Sequence, residues 1–181
     1  MRILGLDLST TTIGYCVTES DDRSIVELGH ISLKNVEGLF NKVDFVVPKI
    51  AALMVGLCVS KAYVEEAVMM FSAGMSSAQT ILTLAKFNAL VSYHVRNQLG
   101  DANIAWVKPN EARKTCGVTL TTKAKAGGKG QKEQTFDQLT APNGLLSHVK
   151  WDLTKTGKVK PESYDRADAF VVAYHGAVKT R

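Results

Sequence analysis

The stretch RILGLDLSTTTIGYCVTE, residues 2–19, decides the fold. Residues 2–8 form an apolar run that barely alternates, the pattern of a strand buried on both faces. Thr10, Thr11, Thr12 and Gly14 make a tight polar turn, and residues 13–19 read as the returning strand. Asp21 and Asp22 supply the next turn, and SIVELGHISL, residues 24–33, reads as a third strand. Three strands joined by short turns predict an antiparallel meander.

Working outward, residues 38–59 read as helix, with Pro48 predicted to kink or restart it. AYVEE, residues 62–66, is a short strand ending in carboxylates. Residues 75–99 carry the best helical pattern, with Ala78, Ile81, Leu82, Ala85, Ala89 and Val95 as an apolar stripe. NIAWVK, residues 103–108, is a further strand, and Pro109 opens a helix through about Cys116 that Gly117 closes. The stretch 118–160 is the least regular. Within it Thr121 to Gln134 reads as mobile, 136–149 as holding a short helix, and Trp151 to Lys160 as a loop or hairpin around Gly157. A last helix covers about 163–178, with Ala167, Phe170, Val171 and Tyr174 on its apolar face. The reading is one α/β domain over residues 1–181. It holds a mixed five-stranded sheet, three antiparallel strands and then two parallel, flanked by helices.

A chain of 181 residues, 45% of them hydrophobic, can bury a core without disulfide or metal staples. Cys16, Cys58 and Cys116 show no CxxC spacing and read as small buried hydrophobes of a reducing compartment. The longest apolar stretch, 43–59, is interrupted by Asp44, Pro48, Lys49 and Gly56, which fits a buried helix and not a membrane span. With no leader pattern before the first strand, the expectation is a cytoplasmic protein of a bacterial or phage-infected cell, without membrane contact. His30, His94, His148 and His175 all read as surface residues. Between Lys108 and Lys160 eleven Lys or Arg face four acids, a net of +7 that leaves −2 for the rest of a chain whose total is +5. A basic region beside a near-neutral body suits a polyanion partner, or is simply a solvated face.

The acids carry the chemistry. Asp7 ends a strand that otherwise belongs in the core, and a buried carboxylate needs a partner, a metal or a rim position. Its plain alternative is to bind the backbone of the Thr10–Thr12 turn. Glu65 and Glu66 are adjacent on a strand, so only one can face the same side as Asp7. Asp165 and Asp168 lie three apart on the last helix, on one face, where the helix dipole alone is a competing explanation. Taken together, strand-end acids and an i,i+3 pair suit hard divalent cations bound through oxygen. Two such ions about 3.5–4 Å apart hydrolyse phosphodiesters, and the basic window offers a surface for the phosphates.

ILGLDLSTTTIGYCV (3–17), YVEEAV (63–68) and YDRADAFVVAYH (164–175) resemble the motifs of the RuvC family of Holliday-junction resolvases, within the RNase H-like superfamily. Together with the helix behind the second motif, they span nearly the whole chain. The resemblance implies an RNase H-like fold, a homodimer, and metal-dependent paired nicking of four-way DNA junctions that leaves 5′-phosphate and 3′-hydroxyl ends. It implies Asp7, Glu65, Asp165 and Asp168 as the catalytic, metal-binding set, with two Mg²⁺ or Mn²⁺ ions per site. It selects Glu65 over Glu66, because the family's Glu directly follows an aliphatic residue.

There are departures. The family's aromatic wedge position holds Val68 here, and the nearest aromatic is Phe71, which reads as a core or dimer contact or as a displaced wedge. The stretch 118–160 is longer and more basic than the usual connection, which resembles phage-type or diverged members and extends the expected substrates to other branched DNA. Lys114 falls near a DNA-contacting position of the family, Lys123 or Lys125 near a second, and Lys129 and Lys132 of the same basic window are further DNA-binding candidates.

Three other functions use similar residues. An actin-like or sugar-kinase ATPase shares the LGLDLSTTTIG pattern but needs a second lobe and a second phosphate loop. A non-catalytic junction-binding protein on the same fold would lack a carboxylate, and none of the four is missing. An RNase H-like nuclease acting on RNA–DNA hybrids would use the same acids.

Overall fold

The computed structural model describes residues 1–67 and 77–180. The elements are β1 (Arg2–Leu8), β2 (Thr12–Glu19), β3 (Ile25–Ser32), α1 (Leu39–Gly56), β4 (Val59–Glu65), α2 (Ala78–Leu99), β5 (Ile104–Val107), α3 (Pro109–Thr115), α4 (Gln131–Thr140) and α5 (Pro161–Lys179). The sheet order is β3-β2-β1-β4-β5. β1, β2 and β3 pair antiparallel, and β4 and β5 run parallel to β1. This is the expected mixed five-stranded sheet. It places β1 at its centre, which explains why the apolar run of β1 hardly alternates.

One face of the sheet, carrying Leu4, Leu6, Leu8, Ala62 and Val64, packs under α1 and α2. On the other, Cys16 and Tyr63 join a second core built from α3, α4 and α5. Gly5 and Gly14 also lie on this second face, and both meet the backbone of α5. A Cβ at Gly5 would overlap the backbone of Ala169 and Ala173, and one at Gly14 the carbonyl of Asp165. The helix therefore rests directly on the backbone of β1 and β2.

Several boundaries differ from the sequence reading. Pro48 does not restart α1, which runs unbroken from Leu39 to Gly56. The buried stripe Val43, Val46, Ile50 and Met54 holds it, since tertiary packing supplies most of a helix's stability. α2 begins at Ala78, where the Ser77 hydroxyl accepts the Thr80 N–H at 3.2 Å. Its expected start at Met75, together with Val68 and Phe71, lies outside the described residues. α4 starts at Gln131, inside the stretch read as irregular. Leu153 and Val159 pair as a small bridge around Gly157, as the hairpin reading expects. Cys58 is exposed, contrary to the expectation that all three cysteines are buried. Among the described residues no helix is long and apolar enough to cross a membrane.

If the contact of α5 with bare backbone sets the fold, Gly14→Ala must push α5 outward. We expect it to lower the unfolding free energy by on the order of 3 kcal/mol in urea titrations. Gly56→Ala, with nothing near its new methyl, serves as the neutral control.

Candidate active site

Because β1 and β4 are parallel neighbours, their C-terminal ends lie at the same edge of the sheet. Leu6 pairs with Val64, so Asp7 and Glu65 follow one step further along the register. Alternation turns both toward α5, on the same side as Gly5 and Tyr63. Glu66 points the other way and is exposed. Asn88 of α2 secures the end of β4 by donating to the Glu65 carbonyl at 3.0 Å.

Asp7 pairs in β1 with Gly14 of β2, the residue against which the backbone of Asp165 rests. The glycine contact therefore delivers Asp165 and, one turn on, Asp168 to the strand ends. The alternative roles of these acids fall to other residues. The turn after β1 is held by Ser9, whose hydroxyl accepts the Thr12 N–H at 3.0 Å and donates to the Thr12 carbonyl at 2.6 Å. Glu162 is the acid in the first turn of α5, so Asp165 and Asp168 lie beyond the reach of the helix dipole.

The Lys132 ammonium joins the acids. It lies 2.8 Å from Asp7 Oδ2, 2.6 Å from Asp165 Oδ1 and 3.4 Å from Asp168 Oδ2. Arg113 approaches Asp168 Oδ1 at 3.4 Å from the other side and is itself buried. Burial and the neighbouring Asp7 raise the Asp168 carboxyl from 3.8 to about 6, with Lys132 and Arg113 opposing. Burial, then Asp7 and Asp168, push Glu65 well above the ordinary carboxylate range. Burial raises Asp165 against the pull of Lys132. For Lys132 burial works downward, but Asp7, Asp168 and Asp165 outweigh it and raise its pKa.

α4 is what carries Lys132 to this point. Phe136 and Leu139 bury one side of it, with the Phe136 ring edge-on to Trp151 and Tyr164 at 4.8 and 5.1 Å. On its flank, Gln134 and Gln138 exchange amide hydrogen bonds with the backbone of Thr121 and Thr119, as a neighbouring strand would.

The structure thus brings Asp7, Glu65, Asp165 and Asp168 to one end of the sheet. Of the basic residues singled out in the sequence, Lys114, Lys123 and Lys125 are exposed, without an ion pair among the described residues. Lys129 pairs with Asp137 at 2.5 Å, and Lys132 belongs to the acid cluster. Phe71 lies outside the described residues. His175 is no surface residue: it is buried, with Nδ1 2.8 Å from the Thr115 hydroxyl, and ties α3 to α5. Arg113 and Asn88 were missed. Asn88 had a signal, since it is a polar residue seven positions after Ile81 and three before Val91, on the apolar face of α2. Arg113 had none, because a seven-residue helix is too short to show a periodicity.

Four carboxylates form an all-oxygen donor set, and Asp168 Oδ2 is buried without a hydrogen-bond partner. Both features fit a hard divalent cation. Among the described residues no three acidic, histidine or cysteine side chains close around one point as ligands would; the Lys132 ammonium stands between the acids.

No family model and no curated protein matches the chain. Solved structures do match. RuvC of T. thermophilus, in complex with Holliday junction substrate, aligns over 100% of this chain and 95% of its own at a TM-score of 0.67 and 14% identity. The yeast mitochondrial Holliday junction resolvase Ydc2 aligns over 98% and 80% at 0.58 and 13% identity. The Fowlpox virus resolvase, with substrate Holliday junction DNA, aligns over 99% of both chains at 0.52 and 13% identity. The fold is the RNase H-like fold of these resolvases.

The raised Asp168 pKa makes a prediction for the metal-free protein. The folded state holds this proton more tightly than the unfolded chain does. The group's contribution is therefore full below about pH 4 and lost as pH rises through about 6. Thermal melts in EDTA should show Asp168→Asn flattening that part of the pH profile, with its advantage over wild type growing between about pH 4 and pH 6 and levelling off above that.

Proposed function

We propose that the chain is a divalent-metal-dependent endonuclease that resolves four-way DNA junctions by hydrolysing phosphodiester bonds in opposed strands. The observation that carries the reading is the meeting of Asp7, Glu65, Asp165 and Asp168 at the end of β1 and β4. The likeness of the whole fold to three junction resolvases supports it.

In this reading the four acids hold Mg²⁺ or Mn²⁺, two ions per site. Bound there, such ions activate water and stabilise the leaving oxygen of a phosphodiester. The chain's own residues place the reaction. Asn88 fixes the backbone that carries Glu65, and Arg113 fixes the orientation of Asp168. The exposed Lys114, Lys123 and Lys125 bind backbone phosphates and position the DNA without reading its sequence. A homodimer presents two such sites to the two strands that must be cut.

The test is incubation with a synthetic four-way junction, a duplex and an RNA–DNA hybrid, with and without Mg²⁺. The expected outcome is paired nicking of the junction only when metal is present. Preference for the hybrid would identify a different nuclease on this fold. Asp7→Asn should abolish cleavage while leaving junction binding in place. Glu65→Gln should reduce cleavage at least about 100-fold, the scale of losing a catalytic electrostatic group, whereas Glu66→Gln stays near wild type. Equal losses at 65 and 66 would mean that the wrong face of β4 has been assigned. Junction affinity should also fall steeply between 50 and 200 mM salt, as counterion release requires.

A further inference from the structure

We infer that Lys132 is an internal counter-ion that occupies the position of the divalent metal and must be displaced when metal enters. The inference rests on the metal-site reading above and adds a regulatory element to it.

Three observations carry it. First, the Lys132 ammonium contacts Asp7, Asp165 and Asp168 at once. Every other basic side chain among the described residues that forms an ion pair contacts a single acid. Second, the oxygens it engages belong to the acids that would ligate the metal, and Asp168 Oδ2, buried with no hydrogen bond, has this ion pair alone. An ammonium and a divalent cation cannot share those oxygens, since two like charges at ligand distance repel strongly in a largely buried site. Third, the ammonium of Lys132 is held by three acids while the side chain as a whole remains 44% exposed. Unlike Arg113, which is buried at 6% and fixed against Asp168, Lys132 can swing out through bond rotations alone, leaving α4 docked by Phe136 and Leu139.

The site is therefore self-neutralised before metal arrives. Lys132 keeps three clustered carboxylates from repelling one another and holds α5 against the sheet. Its cost is competition: metal affinity is lower by the work of expelling the ammonium. An Arg at this position would be harder to expel, and an uncharged side chain would offer no competition.

The test uses Mn²⁺ and the full chain without DNA. Calorimetric titration should show Lys132→Met binding Mn²⁺ about tenfold more tightly than wild type, a coupling of ordinary size. In the wild type, mass-spectrometric acetylation footprinting should show Lys132 protected without metal. It should become several-fold more reactive with Mn²⁺, while Lys123 and Lys125 stay constant. Equal Mn²⁺ affinity in wild type and Lys132→Met, abolished in both by Asp7→Asn, would overturn the inference and leave the metal site standing. Absence of any Asp7-dependent Mn²⁺ binding in either protein would remove the metal site, and the inference with it. If Lys132→Met does not fold, the wild-type footprint decides: unchanged Lys132 reactivity on adding Mn²⁺ overturns the inference.

Discussion

The site depends on the contact between helix α5 and the bare backbone of two strands. Gly5 and Gly14 remove the side chains that would hold α5 away, and the helix lies directly on β1 and β2. That approach fixes the height and rotation of α5, and so the positions of Asp165 and Asp168. The same two strands carry the remaining geometry. Gly14 sits across from Asp7 in the register, and the parallel pairing of β1 with β4 puts Glu65 beside Asp7. A single packing contact thus couples four residues spread between positions 7 and 168.

Bringing acids together has a cost, and the surrounding residues offset it. Asp7 and Asp168 are almost fully buried, and like charges at such range cannot all remain ionised without compensation. Two cations supply it in different ways. Arg113 is enclosed and holds one oxygen of Asp168. Lys132 reaches in from α4 and spans three acids. The first behaves as part of the scaffold and the second as a movable charge, which is why the two basic residues carry different consequences for metal binding.

Much of this was legible in the sequence because the relevant signals are local. A charge ending the apolar run of β1 exposes Asp7 as anomalous. Strand alternation separates Glu65 from Glu66, and the spacing of Asp165 and Asp168 puts them on one helix face. Those signals give each acid a direction but not a common destination; the resemblance of the motifs at 3–17, 63–68 and 164–175 supplied that. What stayed hidden depends on contacts between distant segments. The Gly- and Lys-rich stretch before α4 has no apolar period, and the glutamine hydrogen bonds that help hold α4 to residues 119 and 121 leave no periodic mark, so its start at Gln131 went unseen. With a helix expected only from residue 136 onward, Lys132 read as one more DNA-facing lysine of the basic window. His175 looked exposed because its partner, Thr115, lies 60 residues away. A restart at Pro48 follows from a local rule, and the packing of α1 overrides it.

In the reading proposed above, Asp7, Glu65, Asp165 and Asp168 form one metal site. Its most direct test is anomalous diffraction from crystals grown or soaked with Mn²⁺. An anomalous peak is expected at the end of β1 and β4, ligated by Asp7 and at least one of the other three acids. A fully ordered site with no peak at saturating Mn²⁺, or a peak bound by other residues alone, would contradict it.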